Sequence, residues 1–249
     1  MTKRPRGRAE DTAPVDGVEW DERREQPLLT DPEDVRPFNP LDTKNLAIAV
    51  AKALLEKAAR PLGDLPSFRG AGIYAIYYLG SFDTYQPMAR VNRDRGFPRW
   101  PIYVGRAQPP GGRRGGFNLA ATDTTALHGR LRKHAESIRA VSNLEVGDFL
   151  CRFLVVQDLW IPLAEQLLIP HFSPVWNRLI DGFGNHDPGA GRYAGLRPRW
   201  DVLHPGREWA DRCQPRLETA ADIQREVEQY LAATAVPSLA TLSGDLFGE

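Results

Sequence analysis

Six side chains hold most of the chemistry in this 249-residue chain: Tyr74, Tyr103, Arg130, His134, Glu165 and Asn177. The two tyrosines stand at matching points of two short apolar runs, residues 72–79 (GIYAIYYL) and 101–105 (PIYVG). Arg130 and His134 are four positions apart, so on a helix they share one face, one turn apart. A fixed guanidinium can hold a phosphate oxygen, and an imidazole beside it can accept or relay a proton. The same pair, with Arg132 and Lys133, can equally be a solvated basic face. Glu165 is the only acid in the apolar segment 160–169 (WIPLAEQLLI). A carboxylate there needs a pair, a hydrogen bond or a metal. It can hold Mg²⁺, which keeps much of its water, or form a structural ion pair with an arginine. Asn177 follows a Ser-Pro-Val-Trp turn and can cap the next segment or hold a water or phosphate. His186, within GNHDP, can bind metal with Asp187 or shape a turn.

The elements that must place these groups follow from pattern. Residues 72–79 and 101–105 carry the β-branched and aromatic residues of pleated, half-buried strands. Neighbouring strands would bring both phenols to one end of a small sheet. Residues 124–141 form an apolar helical stripe at Leu127, Leu131 and Ile138, and 149–156 (FLCRFLVV) reads as a third strand. The segment 160–169 reads as a short buried helix with Pro162 in its first turn. Strand, strand, helix, strand, helix is the order of a compact unit mixing helices with a small sheet.

Around this unit lie less regular stretches. Residues 1–41 are charged and proline-bearing and read as a flexible arm. Residues 42–66 hold a helix with Leu46, Val50, Leu54 and Leu55 at helical spacing, stopped by Pro61-Leu62-Gly63, that packs on the core or on a second subunit. The excursion 80–100 reads as too polar and irregular for core, and its arginines and aromatics favour contact with a ligand or partner. Residues 108–117 (QPPGGRRGGF) are either a phosphate-facing or a solvated loop; the GK[ST] ending of a Walker loop is absent. A last helix is expected over 217–233, with a tail to 249.

Composition narrows the partners. Lys+Arg and Asp+Glu balance at 32 each, so total charge favours neither nucleic acid nor membrane. Arginines concentrate over 90–139, and a nucleic-acid footprint is a local basic face. Cys151 and Cys213 lack CxxC spacing, which argues against a zinc site and a disulfide framework. No apolar stretch approaches the roughly 20 residues of a membrane span, and the basic N-terminus lacks the apolar core of a signal peptide. These features read as a reduced, cytoplasmic, soluble protein without a membrane partner.

Taken as an ordered set, the residues resemble the GIY-YIG nuclease superfamily. Gly72-Ile73-Tyr74 matches its first triplet and Tyr103-Val104-Gly105 its second, with Val for Ile. Arg130, Glu165 and Asn177 follow in the family's order, over roughly residues 70–180. The long spacer between triplets, the histidine one turn after the arginine, and the stretch 181–189 (DGFGNHDPG) resemble the Type II restriction endonuclease branch. The resemblance implies an α+β fold: a small central β-sheet flanked by helices, over 67–215, with the 80–100 insertion and N- and C-terminal extensions, the latter from 216. It implies hydrolysis of double-stranded DNA at a palindromic, GC-rich site (CCGCGG) by a homodimer using Mg²⁺ or Mn²⁺. In that reading Glu165 holds the metal, Tyr74 takes the proton of the attacking water, and His134 with its cationic neighbourhood favours the phenolate. Arg130 stabilises the phosphate, while Tyr103 and Asn177 orient phosphate and water. Arg113, Arg114, Arg178 and Arg192 are candidates for contact with DNA, since arginine reads guanine bidentately. A repair or homing-type enzyme of the superfamily, a non-catalytic DNA-binding protein and a small-molecule enzyme are the competing readings. The first usually appends DNA-binding modules that are not evident here, and the second leaves the complete set of site residues unexplained.

Overall fold

Residues 72–78 carry no polar alternation, as a strand covered on both faces should not, and they form the centre of the sheet. The computed structural model describes residues 42–108, 123–187, 189 and 193–237. Its strands are β1 (Arg60–Pro61), β2 (Gly72–Tyr78), β3 (Tyr103–Ala107) and β4 (Phe149–Val155), in the antiparallel order β1-β4-β2-β3. All seven residues of β2 are buried. At Gly72 an added Cβ would lie 2.0 Å from the Leu154 carbonyl oxygen, so only glycine lets β4 come this close.

The helices are α1 (Thr43–Leu55), α2 (Gln86–Arg93), α3 (Ala126–Arg139), α4 (Trp160–Phe172), α5 (Val175–Arg178), α6 (Arg199–Leu203), α7 (Glu208–Asp211) and α8 (Ala220–Ala233). Strand alternation divides β2 between two apolar layers. Tyr74, Ile76 and Tyr78 pack with Leu127, Leu131 and Ile138 of α3 and with α5, α6 and α8. Ile73, Ala75 and Tyr77 pack with α1 and α4 through Leu54, Ile161, Ala164 and Leu168. The protein is therefore α+β, a small antiparallel sheet between helices.

Three expectations are corrected. The excursion after β2 is not too polar for core: Tyr85, Met88, Ala89 and Asn92 recur at helical spacing and are buried as one face of α2 and the turn before it. Asn92 closes the neck of the excursion. Its amide donates to the Tyr78 and Trp100 carbonyls and accepts from the Arg99 and Trp100 amides, which is why a polar side chain tolerates full burial there. Arg90 and Arg93 are exposed, and Arg93 covers the Leu79 and Gly80 carbonyls. Second, α1 ends at Leu55, before Pro61-Leu62-Gly63. The chain leaves it where the buried Arg152 of β4 takes the Lys57 carbonyl at 2.7 Å, and Pro61 belongs to the edge strand β1, where a missing N–H is tolerated. Third, the last helix starts at Ala220, because Thr219 and Asp222 form a capping box. Leu217, the expected start of this helix, is fully exposed before it.

Among the described residues no helix is long and apolar enough to cross a membrane. Cys151 and Cys213 are free and buried.

Candidate active site

The β2–β3 register pairs Tyr74 with Gly105 and Ile76 with Tyr103, so both phenols lie on the face covered by α3. A Cβ on Gly105 would meet Tyr74 Oη at 2.4 Å and Tyr103 Cε1 at 2.9 Å. The glycine that closes the second triplet is the space into which the first triplet's phenol lies. Tyr74 Oη is 2.6 Å from His134 Nε2, and the contact is buried. Burial and the neighbouring Tyr103 push the Tyr74 pKa well above the phenol's ordinary value, and Arg130 only partly offsets them. Burial, with Arg130, His186 and Arg207 nearby, drives His134 down to about 3. The imidazole is thus neutral and hydrogen-bonded to the phenol through Nε2. Burial thus works against the phenolate character expected from the cationic neighbourhood.

Arg130, one turn before His134, donates from Nη1 to His186 Nε2 at 3.1 Å. His186 thus steadies this guanidinium. Asp187 makes the turn, accepting from Gly189 N and the Tyr193 hydroxyl. Among the described residues no group of three or more His, Cys, Asp or Glu side chains is placed to hold a metal.

Glu165 comes from α4, on the other side of the sheet. Its Oε2 is 3.0 Å from Nε of Arg106, which β3 projects to that same side, opposite Ile73. Burial raises the Glu165 pKa, against the pull of Arg106 and Arg130, and its charge is felt by both Tyr74 and Tyr103. The two helices converge on β3 at the edge of the sheet, one bringing Arg130 and His134, the other Glu165. The ion-pair and ligand readings of Glu165 are therefore compatible, since its carboxylate keeps about a quarter of its side-chain exposure, 23 %.

Asn177 does not cap a helix; Pro174 holds that position in α5. Its Oδ1 accepts from Val104 N and its Nδ2 donates to Val104 O, both at 2.8 Å. The amide closes the free edge of β3 as another strand would, fixing the backbone between Tyr103 and Gly105.

The structure thus gathers Tyr74, Tyr103, Arg130 and His134, brings Glu165 near them, and uses Asn177 on the backbone beneath. Arg178 is exposed at the end of α5. Arg113, Arg114, Arg192 and most of the glycine-rich loop lie outside the described residues. Sequence reading missed Arg106, although a lone cation on an apolar strand is a legible signal when a lone carboxylate needs a partner. It also missed Phe183, whose ring stacks on His134 at 4.6 Å and 17°.

A second buried histidine lies under the same layer. Trp176 Nε1 donates to Tyr85 Oη, which is 2.7 Å from His204 Nε2, and His204 Nδ1 meets Asn143 Oδ1 at 2.9 Å. Burial drives His204 to about 3 as well. An unfolded histidine titrates near 6.5, so below that pH the unfolded chain binds protons that the folded one refuses. Stability is therefore expected to be highest above about pH 6.5 and to fall towards the folded values, by at most about 1.4 kcal/mol per pH unit for each histidine. Urea unfolding at pH 7.5, 6.5 and 5.5 measures this, and an unchanged free energy across that window would contradict it.

The family model described as the Eco29kI GIY-YIG domain matches residues 66–231, which span β2, β3 and β4, all the site residues above and α8 up to Leu231. No curated protein matches the chain.

Proposed function

The chain belongs to the Eco29kI GIY-YIG domain family, a restriction-enzyme family of DNA-acting nucleases, and on that premise we propose that it is a Type II restriction endonuclease. It cuts both strands of DNA at a palindromic GC-rich site, with CCGCGG as the specific target. The observation that carries this reading is the buried Tyr74–His134 hydrogen bond at 2.6 Å, set beside Tyr103, Arg130 and Glu165.

The two groups suit a proton relay. With its proton on Nδ1, a neutral imidazole of low basicity does not hold the phenol's proton at rest, yet turns the Nε2 lone pair towards it. As water attacks the scissile phosphorus, its proton passes to Tyr74 Oη while the phenol's own proton passes to His134 Nε2. The P–O bond to the 3′ carbon's oxygen breaks, and that oxygen leaves as an alkoxide that takes its proton from solvent. Arg130 donates to a non-bridging phosphate oxygen, where negative charge grows. Tyr103 orients the phosphate from the neighbouring strand. Asn177, already committed to Val104, acts by holding that strand.

Glu165 fits a single divalent cation. It offers a hard, partly open carboxylate next to Arg130, and Mg²⁺ needs only one or two such ligands beside water and phosphate. Bound there, Mg²⁺ or Mn²⁺ would stabilise the leaving oxygen. Arg106 pairs with the carboxylate and would have to share it with the ion.

One relay per chain and a two-fold target imply a homodimer, each copy cutting one strand. Purified protein incubated with unmethylated plasmid and Mg²⁺ is expected to give discrete fragments, and EDTA to stop their formation. Sequenced ends should share CCGCGG. Intact plasmid, or fragments with random ends, would refute the assignment.

A further inference from the structure

Residues 181–187 form a loop without helix or strand, yet three of its carbonyls converge on one side chain. Arg207 lies beyond α6 and is buried. Its Nη2 donates to the Gly182 carbonyl at 2.9 Å, and its Nη1 to those of Phe183 and Asn185 at 3.3 and 3.1 Å. The other two N–H groups go to the Asp201 carboxylate, each at 2.6 Å. All five donors of the guanidinium are thereby used. The rings of Trp200 and Trp209 cover it, 4.5 and 4.8 Å from their centroids. Gly182 has φ +109°, and a Cβ there would lie 2.2 Å from Pro198 Cβ, so the loop can enter the clamp only through glycine.

Held in this way, the loop touches the site at three points. Phe183 stacks on His134, Gly184 lies where a Cβ would be 3.0 Å from Tyr103 Oη, and His186 accepts from Arg130. We propose that Arg207 is the positioning residue of the active site, clamping 181–187 into a wall that keeps water from His134 and sets the direction of Arg130. It touches no reacting atom itself. A buried Arg–Asp pair adds little stability over well-packed apolar residues, whereas no apolar side chain could gather three backbone carbonyls. The inference deepens the nuclease reading, because it rests on Tyr74 and His134 being the proton-transfer pair.

Arg207→Lys tests it, since lysine keeps the charge and loses the planar five-donor fork. The readout that needs no DNA is the His134 ring titration, followed by NMR in the folded full-length protein. The charged and titratable groups facing that ring are Tyr74 of β2, Tyr103 of β3, Arg130 of its own helix, and His186 and Arg207 from the loop side. With the wall loosened, water reaches the imidazole, and its midpoint should rise by about one pH unit or more towards the ordinary histidine value. Cleavage should lose about tenfold or more in kcat with KM little changed. A folded Arg207→Lys protein with a wild-type His134 midpoint and kcat overturns the proposal. Should that variant fail to fold, Phe183→Leu removes the flat ring while keeping apolar bulk, and an unmoved His134 midpoint there overturns it equally. If His134 shifts in a protein that cuts no DNA, the wall stands and the nuclease assignment alone falls.

Discussion

Glu165→Ala is expected to abolish DNA cleavage while leaving DNA binding in place. A divalent ion at a phosphoryl centre supplies several kcal/mol of transition-state stabilisation, which corresponds to about 10³-fold or more in rate. Among the described residues Glu165 is the one acidic side chain whose charge is felt by both site tyrosines, and its ion-pair partner Arg106 reaches it from the edge strand. Removing the carboxylate leaves Arg106 unpaired but 37 % exposed, so water can solvate it and the cost to folding is small. Loss of cleavage can thus be separated from loss of structure. Affinity for a duplex containing CCGCGG, measured by fluorescence anisotropy in EDTA, should stay near the wild-type value or tighten, since a negative charge has left the phosphate-facing site. Glu165→Gln should match the alanine variant in rate, because it keeps the shape and loses the anionic ligand. Cleavage by either variant at the wild-type rate in Mg²⁺ would remove Glu165 from the reaction.

How far such a site can be read from sequence depends on the range of the interaction. Spacing within one element is legible: Arg130 and His134 share a helix face, and the two tyrosine triplets lie on paired strands as their composition demands. Pairings made by the fold are not. Asn177 meets the backbone of Val104 across 73 positions, and nothing local distinguishes that amide from a helix cap. Arg207 gathers carbonyls from a loop more than twenty positions earlier, so it reads only as one more arginine in a polar stretch. The 80–100 excursion was misread for a different reason. Its buried positions do recur at helical spacing, but Asn92 stands among them and four arginines lie around them, so average polarity hides the period. Burial is the remaining blind spot. The charges near Tyr74 point to a lowered pKa, and only the depth at which the sheet places the phenol reverses the sign.

That depth makes Tyr74→Phe the sharpest test of the chemistry. The phenylalanine ring fills the same space over Gly105, and only the hydroxyl is lost. His134 Nε2 then has no donor in a buried setting, which should cost about 1–3 kcal/mol of stability. Cleavage should fall by about 10²–10⁴-fold, the range of a positioned proton acceptor. What remains should climb with pH, close to tenfold per unit, because hydroxide from solution replaces the proton transfer that Tyr74 performs. The wild-type rate should be flatter from pH 6 to 8, since a histidine held to about 3 is already neutral there. His134→Gln tests the second half of the relay and should fall to a similar level. If the two side chains act as one unit, the double variant will be no slower than the worse single one. Additive losses would mean that phenol and imidazole work separately. A Tyr74→Phe protein that cuts at the wild-type rate with an unshifted pH profile would leave the buried hydrogen bond as a structural contact alone.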